Sequence, residues 1–244
     1  MKTLLLGALM ASRLAAQTPA TPELHPMPRA LETGFALSAA PPHLRDSAGV
    51  YVLDPRRGYV EARAGTNGFR CLVARTEWAW PQLAFRDDIF VPVCSDAAGV
   101  EAWLPVFVDA AAMRARGESP RAVYDTVMQR FADGRYHAPA RAGVSYMLAP
   151  VMRTFLAESS RVPTTMVAPH YMFYAPNVTD ADIGGQRSGD GPFMLSTGPH
   201  GLIFLGAGAA RKQEILAESR DLLTALCAYR RVLCVPKAGH RTGH

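Results

Sequence analysis

Three apolar runs, VSYML at 144–148, YMFY at 171–174 and LIFL at 202–205, decide the fold of this 244-residue chain. Each run is short, rich in aromatic or branched residues and bounded by glycine or proline, which is typical of buried β-strands. The pattern therefore predicts a core sheet within residues 143–206. Each run also has a proline and a histidine at or just before its start: His137 with Pro139, Pro169 with His170, and Pro199 with His200.

The remaining elements predict an α+β fold. Residues 49–75 read as a β-meander, and residues 89–94 add a strand that Pro92 places at a sheet edge. Residues 105–116 and 120–131 predict an αα-hairpin, with Ser119 as the N-cap of its second helix. Residues 209–230 carry an apolar stripe on one helical face. We expect an antiparallel or mixed sheet covered by the helical hairpin and the C-terminal helix.

The chain is expected to divide into four segments. Residues 1–16 combine a basic start, a short apolar run and a small-residue cleavage site, which is the layout of a secretory signal peptide. Residues 17–47 are rich in proline and alanine and predict an extended arm, whereas residues 237–244 predict a flexible tail. Residues 48–236 then form a single α+β domain, and a split near Gly134 is the alternative.

Export would place the mature protein in the periplasm or outside the cell. Removal of Lys2 and Arg13 with the signal peptide lowers the formal net charge from +5 to +3, which is too mild to favour nucleic acid as a partner. No later stretch approaches the length of apolar sequence that a membrane-spanning helix needs. The expected partner is a small molecule or a component of the cell envelope.

Four cysteines in an exported chain raise the question of disulfide pairing. Proximity along the chain favours the pairs Cys71 with Cys94 and Cys227 with Cys234. The alternative is that one or both pairs are buried thiols.

The recurrent histidines suggest a metal site. If the three strands are neighbours and two run parallel, at least two histidines would lie at one end of the sheet, where carboxylates of the following loop could join them. Imidazole and carboxylate together suit zinc, or a general base with an orienting acid. The alternative is that these are strand-end histidines with local hydrogen bonds. The candidate ligands are His137, His170, His200, Asp180 and Asp182.

An aromatic loop at 77–88 suggests a ligand pocket, because aromatic side chains on a loop need a partner. The candidate ligand-binding residues are Trp78, Trp80, Tyr171 and Tyr174. The alternative is that these rings are part of the core.

Two partial motifs do not carry a function. The turn at 206–211 has the first two glycines of a dinucleotide fingerprint but Arg211 where the third is expected, and Ser145 lacks the second glycine of a nucleophile elbow. Since no complete catalytic motif is present, the sequence favours an exported, non-catalytic protein that binds a small ligand or an envelope partner. The alternative is an exported metal-assisted hydrolase that uses the strand-end histidines.

Overall fold

The computed structural model describes residues 24–157 and 159–235, and its strands build two sheets in these ranges. The strands are β1 (Gly49–Asp54), β2 (Gly58–Arg63), β3 (Arg70–Ala74), β4 (Val91–Ser95), β5 (Val144–Met147), β6 (Met152–Thr154), β7 (Thr164–Met166), β8 (His170–Tyr174), β9 (Phe193–Ser196) and β10 (Leu202–Gly206). Eight of them form one sheet in the order β2-β1-β3-β4-β5-β8-β10-β9, and β6 pairs with β7.

The large sheet is mixed, because β1 and β3 run parallel while every other neighbouring pair in it is antiparallel. The predicted α+β class is therefore confirmed. The three apolar runs of the sequence form β5, β8 and β10, which are neighbours in the sheet as expected. Since β8 is antiparallel to both of its neighbours, β5 and β10 point in the same direction.

Pro92 does not mark an edge, because β4 lies between β3 and β5. The edge prediction fails for a local reason. Strand β5 pairs with β4 only at Cys94 and Ser95, so Pro92 pairs on one side, with Val73 of β3, and needs no N–H for a second partner.

The prediction of an extended arm is wrong for part of residues 17–47. Helix α1 (Arg29–Ser38) packs against the sheet, and a short helix α2 (Pro42–Arg45) follows it. Prolines delimit α1 rather than break it, since Pro28 immediately precedes the helix and Pro41 follows it. Phe35 is fully buried and joins a core cluster with residues of β1, β3 and β4. Residues 17–23, like the predicted signal peptide and tail, lie outside the described residues.

The predicted αα-hairpin is present as α4 (Leu104–Ala115) and α5 (Pro120–Ala132), and a shorter helix, α3 (Ala97–Ala102), precedes it. The hydroxyl of Ser119 accepts a hydrogen bond from the Ala122 N–H at 3.2 Å, as an N-cap does. A short helix, α6 (Asp180–Ile183), lies before β9. The single helix expected at 209–230 is two helices, α7 (Gly208–Glu218) and α8 (Arg220–Tyr229). The break is at Ser219, which leaves helical geometry and is buried.

Both predicted disulfides are formed. Cys71 and Cys94 are directly opposite each other on β3 and β4, and Cys227 on α8 joins Cys234. A 3₁₀ turn at Arg231–Leu233 brings the chain back for the second bond. Among the described residues, no helix has the length and apolar character that crossing a membrane requires.

Candidate ligand-binding site

One face of the sheet forms the floor of a cavity of about 600 Å³, here called the aromatic cavity. Side chains alternate between the two faces of a strand, so every second residue of neighbouring strands reaches the same face. The register places Ser145 beside Met172 and Met147 beside His170. The floor residues are Val91 and Val93 of β4, Ser145 and Met147 of β5, His170 and Met172 of β8, Leu202 and Phe204 of β10, and Phe193 and Leu195 of β9.

Loops and helices close the cavity from above. The aromatic loop contributes Trp78 and Trp80, and the hairpin of β6 and β7 contributes three side chains. Helix α4 and the residue before it supply two further rings. The roof residues are Glu77, Trp78, Trp80, Trp103, Phe107, Met152, Thr154, Phe155, Leu156 and Met166.

All three tryptophans of the chain line this cavity. Trp78 and Trp103 pack against the same ring, that of Phe131 on α5, with centroids 6.1 Å and 6.0 Å from it. Trp80 packs edge-on against Phe155 at 5.9 Å. Each indole therefore packs against one aromatic ring of the protein and also lines the cavity. The indole Nε1 of Trp103 is buried without a hydrogen-bond partner among the described residues.

His170 is the ionisable group of the floor and is buried, with 5% of its surface exposed. Its Nδ1 lies 2.7 Å from the Ala168 carbonyl oxygen, so Nδ1–H donates and Nε2 is left as an acceptor. Burial lowers the pKa of the His170 imidazole, against the raising effect of that carbonyl. The ring therefore favours the neutral form.

An aromatic ladder runs from His170 to the edge of the sheet. The His170 and Phe204 rings stack with centroids 4.3 Å apart, and Phe204 stacks on Phe193 at 4.9 Å. The guanidinium carbon of Arg187 lies 5.0 Å from the centre of the Phe193 ring. Arg187 is exposed and lines the cavity, so the ladder connects a buried imidazole to a cation at the mouth.

Glu77 supplies the carboxyl group of the roof. The hydroxyl of Thr154 donates to its Oε2 at 3.1 Å, which ties the aromatic loop to β6. Burial raises the pKa of Glu77 and outweighs the hydrogen bonds from Thr154 and the Ala79 backbone.

The two tyrosines predicted to bind ligand do not line the aromatic cavity. Tyr171 is on the opposite face of β8, where it packs against Tyr146 at 5.8 Å. Tyr174 is buried, and its hydroxyl lies 2.7 Å from the Ser145 Oγ, which in turn lies 2.8 Å from the Ser95 Oγ. Trp78 and Trp80 are thus the members of the predicted ligand-binding set that line the cavity.

The histidines of the predicted metal site are divided between the two ends of the sheet. His137 and His200 lie at one end, where burial lowers the pKa of His200 and outweighs hydrogen bonds with the backbone of His137 and Tyr136, which raise it. His170 is opposite Gly206, four residues along β10 from Leu202, so about 13 Å of strand separates it from that end.

The two aspartates serve the loop before β9. Asp180 accepts a hydrogen bond from the Met194 N–H at 2.6 Å, and Asp182 accepts from the N–H and the hydroxyl of Thr179 at 2.8 Å and 2.7 Å. Within the described ranges, no group of three histidine, cysteine, aspartate or glutamate side chains is arranged to hold a metal ion. A zinc cofactor stays a prediction, and the five candidate ligands do not form one set.

Comparisons of the chain with protein-family models, with characterised proteins and with solved structures find no match. Sequence reasoning found the aromatic loop of the cavity but not Trp103, which lies between α3 and α4, nor Phe107 on α4. The floor residues could have been found from the alternation of the apolar runs, once the order of the strands was known.

Proposed function

We propose that this protein binds a small apolar ligand in the aromatic cavity and does not transform it. The observation that carries the proposal is that all three tryptophans and alternate residues of five neighbouring strands wall one cavity of about 600 Å³. A volume of this size is typical of sites for small molecules, which are lined mainly by apolar and aromatic side chains with a few polar groups.

The apolar surface of the cavity supports binding rather than simple core packing. Protein interiors are close-packed, and apolar surface left in contact with water costs roughly 25 cal/mol per Å². At the mouth, Leu156 is 63% exposed and Leu195 is 42% exposed. A ligand that covered these side chains and filled the space between floor and roof would recover that free energy.

The polar groups of the wall support orientation of a ligand rather than catalysis. The Ser145 hydroxyl is engaged by Ser95 and Tyr174, and the His170 ring is held by the Ala168 carbonyl. Among the described contacts, Ser145 and His170 are therefore not paired as nucleophile and base. The Nε2 acceptor of His170 remains able to receive a hydrogen bond from a ligand.

We further propose that the protein acts outside the cytoplasm, in the periplasm or as a secreted protein. Two disulfides are formed, and such bonds persist in oxidising compartments. The ligand would then be a small molecule of the medium or a component of the envelope.

Titration with the neutral apolar dye phenylnaphthylamine tests the proposal. We expect saturable binding to one site, with enhanced dye emission and altered tryptophan emission. Met172→Trp fills the cavity from β8 and should weaken dye binding by about tenfold or more, because overpacking displaces the ligand. Phe173→Trp is the matched control on the opposite face of the same strand and should bind as the wild type does.

A second cavity-filling change, Met166→Trp in the roof, covers the case in which Met172→Trp does not fold. Circular dichroism establishes folding for each variant. Absence of saturable binding to the wild type, or equal effects of the changes on the two faces of β8, would overturn the proposal.

A further inference from the structure

We infer that the ligand is an amphiphile with an apolar body and a single carboxylate head, and that Arg187 binds the head at the mouth of the aromatic cavity. This inference rests on the proposed function, since it names the class of ligand that the same cavity takes.

Arg187 is held in place at the mouth by the edge strand. Its Nη2 donates to the Met194 carbonyl at 2.8 Å and lies 3.4 Å from the Leu195 carbonyl, while the guanidinium group lies over the Phe193 ring. No described residue accepts a hydrogen bond from its Nε or Nη1. Nε–H lies beside Nη2 and not beside Nη1, so these two donors do not form one bidentate pair. Each of them can donate a single charge-assisted hydrogen bond to a carboxylate oxygen.

Arg187 also dominates the charge of the cavity. Of the described residues that line it, the ionisable ones are Glu77, His170 and Arg187. Burial raises the pKa of the Glu77 carboxyl and lowers the pKa of the His170 imidazole, so both groups are shifted towards their neutral forms. Arg187 is exposed and keeps its charge. The cavity is therefore apolar inside with a cation at its rim.

The aromatic ladder gives the ligand its direction. From Arg187 it descends over Phe193 and Phe204 to His170, so a body attached to a carboxylate at the rim lies along stacked rings. The ligand thereby buries its apolar part against the floor and leaves its charge near water. An uncharged molecule of the same shape would lack the charge-assisted hydrogen bond that a carboxylate accepts from Arg187.

Competition between phenylnaphthylamine and a matched pair of ligands, dodecanoate and dodecanol, tests the inference. The two share one chain and differ in the head group. We expect dodecanoate to displace the dye from the wild type at a concentration about tenfold lower than dodecanol, as a charge-assisted hydrogen bond predicts. In Arg187→Gln the preference should vanish through weaker binding of dodecanoate, with dodecanol unchanged.

Arg121→Gln is the control, because Arg121 is an exposed arginine on α5 that pairs with Asp125 and does not line the cavity. It should keep the wild-type preference. Equal affinity for the acid and the alcohol, or a preference that survives Arg187→Gln, would overturn the inference while the dye still binds. If the dye binds and neither chain displaces it, the amphiphile class is wrong. If the dye itself does not bind, the proposed function fails as well.

Discussion

The imidazole of His170 stacks on the ring of Phe204, with centroids 4.3 Å apart and ring planes 26° apart. The same imidazole donates through Nδ1 to the Ala168 carbonyl and is 5% exposed. Both contacts hold the ring in one orientation, with Nε2 as its remaining polar atom. His170 is therefore built into the floor of the cavity as a neutral, oriented acceptor, and it lies far from His137 and His200.

This environment predicts an acid-sensitive contribution to stability. Burial lowers the pKa of His170 below 6.5. As the pH falls, the imidazole is therefore protonated in the unfolded chain at a higher pH than in the folded chain. The contribution is fully present above pH 6.5 and is lost as the pH falls towards the folded value, by at most about 1.4 kcal/mol per pH unit. His170→Phe keeps a ring on Phe204 and cannot titrate. Urea unfolding at pH 7 and pH 5 should show the wild type losing more stability than the variant, and parallel losses would contradict the prediction.

Glu32 is expected to act in the opposite direction. It is 1% exposed on α1, and one carboxylate oxygen accepts a hydrogen bond from the Leu53 N–H at 2.9 Å. Burial raises its pKa from 4.5 to about 7, although the Leu53 hydrogen bond and the charge of Arg75 oppose the shift. The folded chain then holds the proton more tightly. Stability from this group is full below pH 4.5 and is lost as the pH rises through about 7.

The change Glu32→Gln tests this sign, because it keeps the acceptor for Leu53 and removes the ionisation. Above pH 7 the substitution removes the free-energy cost of ionising the buried carboxyl. This cost is about 3 kcal/mol, from 1.36 kcal/mol for each unit of pKa shift. Unfolding of both proteins at pH 4.5 and pH 8 gives the difference directly, and effects of other titrating groups cancel between them. A difference that does not change with pH would show that Glu32 is ionised throughout.

The strands of the core were predictable because their signal is local. The runs that form β5, β8 and β10 are short, rich in aromatic or branched residues and bounded by glycine and proline, and these features favour strands over helices. Their direction was not predictable. It depends on which strands pair, and the antiparallel pairing of β8 with both neighbours carries His170 to the end of the sheet away from His137 and His200.

The structural role of a proline is not predictable from the sequence where tertiary contacts decide it. Pro28 and Pro41 suggest an extended arm, yet Pro28 precedes helix α1 and Pro41 follows it. Phe35 of this helix is buried in the core. Pro92 suggested an edge, yet β4 is internal because β5 pairs only beyond it. Tertiary context also limits how much of the cavity wall the sequence can predict. Trp78 and Trp80 are recognisable in the sequence as aromatic residues of a loop, whereas Trp103 lies between two helices and lines the cavity only through the tertiary fold.

Ion pairs of Asp87 link the N-terminal segment to the residue that follows helix α8. The carboxylate of Asp87 lies 2.9 Å from a guanidinium nitrogen of Arg75, which is fully buried, and it also contacts Arg230 and His25. We expect Asp87→Asn to destabilise the fold by about 3–5 kcal/mol, because Arg75 would keep its charge in a buried site without a counter-charge.

Asp125→Asn is the matched control for that change. Asp125 pairs with Arg121 on the surface of α5, where solvent screens both charges, so its loss should alter the unfolding midpoint little. The comparison is made by urea unfolding at neutral pH in low and high salt. Equal effects of the two substitutions would mean that the Asp87 pair is as well solvated as the surface pair.

Tyr174 gives the sharpest separation between the fold and the site. Its hydroxyl lies 2.7 Å from the Ser145 Oγ, which belongs to the floor of the cavity and lies 2.8 Å from the Ser95 Oγ. Tyr174→Phe removes the end of this chain and leaves a buried hydroxyl with one partner fewer, which we expect to cost about 1–2 kcal/mol. Because Tyr174 is not part of the wall, phenylnaphthylamine affinity should stay within about twofold of the wild type.

Tyr171→Phe serves as the control on the opposite face of the same strand and should change neither quantity. Urea unfolding and dye titration on the same samples separate the two effects. A weaker dye complex in Tyr174→Phe with unchanged stability would place Tyr174 in the binding site after all. A loss of stability with intact binding would make the chain of three hydroxyls a structural link at the end of the floor, which fixes β5 against β8 and so sets the shape of the cavity that the ligand meets.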